Sequence, residues 1–252
     1  MFIDSHAHYN AGAFSEDRDE ILSALPGAGI EAVINIGDNL SASRECIRLS
    51  EKYPFLYAAV GVHPESASEV DAAALSSLEE MAAHEKVVAI GEIGLDYYYD
   101  DVPRDVQREA FRAQLRLAKR LGKPVVIHDR EAHGDCLSIL QAEDIHCGVM
   151  HCFSGSVEFM REVVRQGLYV ALGGVVTYKN ARHTVDVARE VPAARLLLET
   201  DCPYLSPVPH RGKRNSSLYL LHTAEKIAEI RGVPLSEISE QTKQNTRTLF
   251  RI

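Results

Sequence analysis

The 252-residue chain has no apolar run long enough to cross a bilayer, and its N-terminus lacks a basic region followed by an apolar stretch. A transmembrane helix needs about 20 apolar residues, and a secretory signal needs both regions. We therefore expect no membrane partner, and a cytoplasmic location is the default expectation. Low-complexity segments and linkers are also absent, which favours one domain over residues 1–252.

Cysteine usage is low and unpatterned. The chain has five cysteines, an odd number, and none of them forms a C-x-x-C pair. Disulfide frameworks use even numbers of cysteines, and zinc ribbons use paired ones. The sequence therefore argues against both.

Positive charge is in deficit: 27 Lys and Arg stand against 36 Asp and Glu, giving a net charge of −9. Non-specific DNA binding requires a basic face, so the charge argues against that class of protein. It leaves open a nucleic-acid substrate, because bound metal ions would neutralise part of the charge and one basic loop would suffice. A monomer is the default expectation, since no apolar seam is evident.

Eight short apolar runs alternate with helical patterns along the chain. They are near-continuous in Val, Ile, Leu and Ala, as expected of parallel strands covered on both faces. Eight such units in about 200 residues favour a closed (β/α)8 TIM barrel, an α/β fold, with an extra C-terminal helix near 236–250. The predicted strands are Phe2–Ser5, Ala32–Ile36, Leu56–Val60, Val87–Glu92, Val125–His128, Gly148–His151, Leu168–Leu172 and Leu196–Thr200.

The opening segment places two histidines on one face of a strand. His6 and His8 are two apart, and side chains at positions i and i+2 of a strand point the same way. Imidazole is the commonest protein metal ligand, but two histidines near a terminus are also compatible with an ordinary surface. Whether other strands supply partners decides between these interpretations.

Partners do follow the other predicted strands. In a (β/α)8 barrel the carboxyl ends of the strands meet at the rim that carries the active site, so side chains there converge. Six nitrogen and oxygen ligands exceed one tetrahedral zinc site and suit two metal ions sharing a carboxylate. Two such ions generate a hydroxide and stabilise the developing charge, which indicates hydrolysis. The converging residues are His6, His8, Glu92, His128, His151 and Asp201, with His63 nearby.

Motifs spread along the whole chain resemble those of the TatD-type metal-dependent hydrolases, often called TatD-type deoxyribonucleases. The resemblance implies a (β/α)8 barrel and two divalent ions. It implies one ion on His6, His8, Glu92 and Asp201, a second on Glu92, His128 and His151, and hydrolysis of nucleic-acid phosphodiesters. One departure is Ser216-Ser217, where the family often has an acidic residue and proline. The matching segments are 4–8, 61–64, 91–97, 124–128, 151–155, 198–205 and 211–215.

We expect Asp201 and Glu92 to be catalytic, with Asp201 as the base that accepts a proton from water unless it is only a ligand. The ions are Mg²⁺, Mn²⁺ or Zn²⁺, since imidazole and carboxylate together suit all three. The expected reaction is 3′–5′ exonuclease cleavage of single strands, on DNA or RNA, with a metal-bound hydroxide.

Substrate contacts are expected from loops at the same rim. The basic cluster near Arg211 would bind phosphate unless it is a solvated loop. Ser154 would bind an anion at a helix start, or the serines there would cap the helix. Tyr97–Tyr99 would stack on bases or pack beneath the loops. The expected contacts are His63, Ser154, Arg211, Arg214 and Asn215.

Two rival functions use the same frame. A small-molecule amidohydrolase, lactonase or deacylase would use a similar binuclear centre, because loops set the substrate. Related barrels often bridge their ions with a carboxylated lysine on strand four, however, whereas Glu92 stands at that position here. A non-enzymatic binding barrel has no need for six convergent ligands.

Overall fold

Eight parallel strands form one sheet in the computed structural model, which describes residues 1–252. Each strand pairs with the next one along the chain, in the order β1 to β8. The strands are β1 Phe2–Ala7, β2 Ile30–Ile36, β3 Leu56–Val60, β4 Val87–Asp96, β5 Val125–Arg130, β6 Gly148–Met150, β7 Tyr169–Leu172 and β8 Leu196–Leu198.

Seven helices connect successive strands, and the last two helices follow β8. Several begin at a side-chain cap, as α2 does at Asn39, whose oxygen accepts from the Ala42 N–H. No helix is both long and apolar enough to span a bilayer. The helices are α1 Arg18–Ala24, α2 Leu40–Lys52, α3 Ala72–Ala82, α4 Arg104–Leu121, α5 His133–Ala142, α6 Val157–Arg165, α7 Arg182–Glu190, α8 Leu220–Arg231 and α9 Leu235–Phe250.

A short seam between β1 and the end of β8 brings the first and last strands together. Ala7 and Cys202 form a parallel bridge. The His8 N–H donates to the Cys202 carbonyl at 2.7 Å, and the Asp201 N–H donates to the His6 carbonyl at 2.9 Å. The sheet is thus a nearly closed barrel, and the predicted (β/α)8 fold with its extra helix α9 is confirmed.

Alternation along the strands divides the core in two. One apolar cluster fills the space between the strands and the surrounding helices. A smaller one lies inside the barrel, where Ile34, Ala89 and Val126 meet Leu249 and Phe250 of α9. Neighbouring residues of a strand face opposite sides, and each side packs into one of the two clusters, so both faces of the strands are buried. Helix α9 contributes to the interior cluster.

Several boundaries differ from the predicted ones, and polar residues explain the main differences. Strand β4 continues beyond Glu92 to Asp96, and β5 continues to Arg130, where the two still pair in register. The apolar runs end earlier because the strands carry polar side chains towards the rim. The helical pattern of the sequence runs over 19–28, but helix α1 ends at Ala24, before a separate 3-10 turn that begins at Pro26, since proline disrupts a continuing helix.

We expect Asn245→Ala to lower the free energy of unfolding by about 1–3 kcal/mol, because the buried Leu196 carbonyl loses a donor and the Ala193 carbonyl keeps only the Leu196 N–H. The buried Asn245 amide on α9 donates to the carbonyls of Ala193 at 2.7 Å and Leu196 at 2.8 Å. Guanidinium denaturation measures the change. The exposed Gln244→Ala on the same helix is the control, and equal stability of the two variants would contradict the prediction.

Candidate metal centre

Six ligand-type side chains meet at the carboxyl ends of five strands. β1 carries His6 and leads into His8, β4 carries Glu92, and β5 carries His128. His151 follows β6 and Asp201 follows β8. The structure therefore brings together the whole predicted ligand set. We call these residues the histidine–carboxylate cluster: His6, His8, Glu92, His128, His151 and Asp201.

One half of the cluster has the donor spacing of a metal coordination shell. His6 Nε2 lies 3.0 Å from His8 Nε2 and 3.3 Å from Glu92 Oε2. Asp201 Oδ1 lies 3.6 Å from His6 Nε2 and 3.4 Å from His8 Nε2. Four tetrahedral donors about 2.1 Å from one ion are separated by about 3.4 Å. His6, His8 and Glu92 therefore have the spacing of ligands to a single ion, and Asp201 lies next to the two histidines.

The other half of the cluster uses the second oxygen of Glu92. Glu92 Oε1 lies 2.8 Å from His128 Nδ1 and 2.7 Å from His151 Nε2. The two histidine nitrogens are 3.2 Å apart. The two oxygens of one carboxylate thus face two separate groups of nitrogen donors. This is the geometry that a bridging ligand needs.

Hydrogen bonds behind two of the histidines fix their tautomers. The Nδ1–H of His8 donates to the Ile36 carbonyl at 3.0 Å, which leaves the Nε2 lone pair towards the cluster. The Nε2–H of His128 donates to Asp96 Oδ2 at 3.0 Å, which leaves its Nδ1 lone pair free. Such outer partners orient metal-binding histidines. These hydrogen bonds therefore direct Nε2 of His8 and Nδ1 of His128 towards the cluster, which is the orientation that metal binding requires.

The cluster balances its buried charges internally. Burial opposes ionisation of Glu92, yet the surrounding His151 and His6 hold the pKa of its carboxyl well below the usual range. Burial also opposes a charge on His8, but Asp201 and Glu92 raise its pKa to about 9. The Asp96 and Glu92 carboxylates likewise overcome burial to raise the pKa of His128 to about 10. Metal binding must therefore displace protons from these imidazoles.

Comparison with known proteins identifies the family. The model of a family described as TatD related DNase matches residues 3–251. The chain belongs to this TatD-related DNase family. Its relatives are metal-dependent hydrolases, and the cluster supplies the metal-binding residue types that such enzymes require.

Three TatD relatives match over nearly the full length. The uncharacterized metal-dependent hydrolase YabD of Bacillus subtilis is 42% identical over 254 residues, covering 100% of both chains. The 3′-5′ ssDNA/RNA exonuclease TatD of Escherichia fergusonii is 35% identical, covering 99% of both. The crystal structure of the TatD homologue YjjV from Escherichia coli K12 superposes with a TM-score of 0.94 at 35% identity, covering 100% of this chain and 98% of that one.

The serines that depart from the usual TatD motif anchor the last loop to β1. Ser217 Oγ donates to Asp4 Oδ2 at 2.6 Å and accepts from the Tyr9 hydroxyl at 2.9 Å. Ser216 Oγ accepts from the Leu218 N–H at 3.3 Å. Because Asp4 Oδ2 also accepts from the Thr200 hydroxyl at 2.6 Å, the loop, β1 and the end of β8 share one buried network.

Of the predicted substrate contacts, only His63 lines the cleft above the cluster. The Arg214 guanidinium donates hydrogen bonds to the Ala13 carbonyl at 2.6 Å and to Asp17 Oδ1 at 2.9 Å. Asn215 is buried and donates to the carbonyls of Thr200 and Tyr204, so it holds the loop in place. The structure thus gives Arg214 and Asn215 partners within the chain.

Ser154 and Arg211 also lie outside the residues that line the cleft. Ser154 is exposed, while Ser156 caps α6 by accepting from the Phe159 N–H at 3.2 Å. Arg211 lies over the ring of Tyr178, 4.3 Å from its centroid. Capping therefore accounts for one serine of that segment, and the assignment of Ser154 and Arg211 to the substrate stays a prediction.

Residues that the sequence analysis did not single out also shape the site. Asp96, Arg130 and Tyr204 line the cleft. Asp96 follows Glu92 on β4 and Arg130 follows His128 on β5, in each case at even spacing from a residue of the cluster. Continuing the strand alternation beyond the apolar runs would have predicted that Asp96 and Arg130 face the same side as the cluster. Tyr204 lies in a loop without periodicity, so no such signal points to it.

Glu199 is a further missed residue, buried beneath the cluster. Its Oε1 accepts the Cys152 N–H at 2.5 Å, and Cys152 adopts a left-handed backbone with φ of 43°. That conformation is uncommon for a residue other than glycine and persists where the surroundings enforce it. Burial, with Asp201 nearby, raises the pKa of the Glu199 carboxyl well above its usual range. Glu199 thereby holds the turn that carries His151.

Removal of divalent ions with EDTA should lower Tm by roughly 10 °C. Ions at about a thousand times their Kd stabilise a protein by about 4 kcal/mol, and each kcal/mol is worth about 2–4 °C at this size. The difference should be larger at pH 8 than at pH 6, because protons on His8 and His128 compete with the ions. Calorimetry with and without EDTA measures it, and identical curves would contradict the prediction.

Asp96→Asn should weaken metal binding about 10- to 100-fold, because the carboxylate that orients His128 is replaced by a neutral amide. Competition with a fluorescent chelator measures the affinity. Asp135→Asn is the matched control, since Asp135 bonds to the Tyr97 hydroxyl at 2.6 Å and to Arg108 rather than to a ligand. An affinity equal to that of the control would contradict the positioning role.

Proposed function

We propose that this protein hydrolyses phosphodiester bonds of single-stranded nucleic acid, as a 3′–5′ exonuclease that uses two divalent ions. The observation that carries the proposal is the bridging position of Glu92, whose two oxygens face two separate nitrogen groups. Paired ions clamp the attacking and leaving oxygens of an in-line displacement at phosphorus. Phosphoryl transfer is therefore the chemistry that this arrangement supports best.

The distances within the cluster support two proposed ion sites. Each would be completed by water or substrate, and Mg²⁺, Mn²⁺ and Zn²⁺ are the candidate ions. When bound, the ions would lower the pKa of a water and neutralise charge on the phosphate. One ion would be held by His6, His8, Glu92 and Asp201, and the other by Glu92, His128 and His151.

Asp201 is the proposed general base. It lines the cleft, and its side chain is 13% exposed, so a water at the cluster can reach it. Burial opposes ionisation, but hydrogen bonding to His8 lowers the pKa of the Asp201 carboxyl. Asp201 is therefore a carboxylate at neutral pH and is ready to accept a proton.

His63 is the proposed hydrogen-bond donor to the substrate. Its Nδ1 accepts from the Glu65 N–H at 3.2 Å, which places the proton on Nε2. Nε2 lies 3.7 Å from Glu92 Oε1. Burial and the neighbouring His128 lower the pKa of His63 to about 3, so it is neutral at pH 7. An N–H donor at this point would bind a phosphoryl oxygen.

The relatives support a nucleic-acid substrate. The Escherichia fergusonii protein is named a 3′-5′ ssDNA/RNA exonuclease, and at 35% identity it covers nearly the whole of this chain. DNA and RNA are both candidate substrates, because that name includes both.

One observation favours a second candidate function. The basic loop residues Arg211 and Arg214 do not line the cleft, which contains Asp38, Glu65 and Asp96 besides the cluster. A small neutral amide, ester or lactone needs no basic surface, so a small-molecule amidohydrolase or deacylase is the alternative.

Asp201→Asn should lower the rate of oligonucleotide hydrolysis about 10²- to 10⁴-fold, because the amide cannot accept the proton. The assay follows a 5′-labelled single strand with Mg²⁺, Mn²⁺ or Zn²⁺ added to metal-stripped protein. The wild type should give a ladder that shortens from the 3′ end.

Asp186→Asn, at an exposed ion pair with Arg189, is the matched control for Asp201→Asn. Metal content measured in parallel separates a base from a ligand. A loss of bound metal that matches the loss of rate would assign Asp201 as a ligand only. Failure of the wild type to cleave with any ion, while it still binds two, would move the small-molecule function to first place.

A further inference from the structure

The cleft above the cluster has one permanently charged cation. It encloses about 410 Å³ and is lined by 15 residues, among which Arg130 is the single Lys or Arg. Arg130 comes two residues after the ligand His128 on β5, so alternation carries both side chains to the same side of the strand. A substrate that is anionic must meet this guanidinium beside the metal site.

The guanidinium of Arg130 forms no ion pair with a carboxylate. Its side chain forms no hydrogen bond and no ion pair within the chain, and it lies over the ring of Tyr98, 3.8 Å from the centroid. The ring of Tyr99 is 5.1 Å away. Stacking on aromatic rings positions a guanidinium while leaving its N–H groups free. By contrast, Arg214 is neutralised by Asp17.

Two exposed tyrosines form aromatic walls of the same cleft. Tyr99, in the loop after β4, is 43% exposed, and Tyr204, in the loop after β8, is 58% exposed. The ring of Tyr204 meets that of the ligand His8 edge-on at 6.2 Å between centroids. Both rings are therefore accessible beside the cluster, although the guanidinium of Arg130 lies over part of the Tyr99 ring. Tyr97, which bonds to Asp135, is partly buried instead.

Asp96 connects this aromatic loop to the metal centre. Its Oδ1 accepts from the N–H groups of Tyr98 at 2.9 Å and Tyr99 at 3.4 Å, while its Oδ2 holds His128. The same carboxylate therefore sets the position of a metal ligand and of the rings beside Arg130. Asp96 therefore fixes the loop that carries Tyr98 and Tyr99 relative to His128.

These contacts point to a nucleotide subsite, and this inference rests on the function proposed above. We propose that Arg130 binds a phosphate of the substrate strand, and that Tyr99 and Tyr204 stack on its unpaired bases next to the scissile bond. A guanidinium matches phosphate bidentately, and aromatic rings stack on any base. Bases within a duplex are already stacked and paired, so the subsite selects single strands.

The test compares two 5′-labelled oligonucleotides, one intact and one with abasic residues at its two 3′-terminal positions. Arg130→Gln should lower kcat/KM about 10- to 100-fold on both, because it removes a charged hydrogen bond to phosphate. Tyr99→Ala and Tyr204→Ala should lower it about 5- to 100-fold on the intact strand. On the abasic strand their effect should stay within about twofold, because no base remains to stack.

Matched variants separate recognition from folding. Tyr99→Phe keeps the ring and should retain wild-type rates on both strands. Arg161→Gln removes an exposed arginine that pairs with Glu190 on the barrel exterior, and it should leave kcat/KM unchanged. Every variant should bind as much metal as the wild type. Equal tyrosine penalties on intact and abasic strands, or an Arg130→Gln enzyme within twofold of wild type, would overturn the subsite.

A wild type that cleaves neither strand would instead overturn the proposed function, and binding then decides the subsite. The probe is the intact labelled strand, followed by fluorescence anisotropy in EDTA. Weaker binding by Arg130→Gln and Tyr99→Ala, with Arg161→Gln unaffected, would support the subsite as a binding site. Affinities equal to that of the wild type would overturn it.

Discussion

The carboxylate of Glu92 is the constraint around which the rest of the site is arranged. It is buried at the centre of the barrel mouth, with a side chain only 4% exposed. An isolated buried carboxylate is costly, so its persistence requires positive or proton-donating neighbours on all sides. Histidines from three other strands meet that requirement. In the proposed metal centre, the same neighbours would be ligands, and divalent ions would supply the positive charge.

The barrel makes this convergence possible because it separates stability from chemistry. The interior cluster around Val126 and Phe250 lies within the barrel, whereas the polar side chains lie at the carboxyl ends of the strands. Apolar residues at the carboxyl ends of the strands would offer no donor atoms to an ion. Side chains from strands far apart in sequence can vary at the rim without disturbing the packed interior.

Sequence patterns predicted the strands well because parallel strands covered on both faces are continuous apolar runs. They also predicted that polar side chains would converge, because His6, Glu92, His128 and Asp201 stand at or just beyond the ends of those runs; their role as metal ligands stays a prediction. They underestimated β4 and β5, since Asp96 and Arg130 interrupt the apolar pattern while the backbone pairing continues. The ion pair between Arg214 and Asp17 could not be predicted, because it depends on how two loops distant in sequence approach each other. Tyr204 could not be predicted either, because it lies in a loop whose sequence has no periodicity.

The seam between β1 and β8 has a consequence for the order of folding. Its few backbone hydrogen bonds join segments at opposite ends of the chain, and closing such a long loop is entropically unfavourable. His6 and His8 of the histidine–carboxylate cluster stand on one side of the seam and Asp201 stands on the other. An ion held by all three would act as a clasp across it. The centre is therefore complete only after the last strand has been synthesised and docked, so partly made chains lack it.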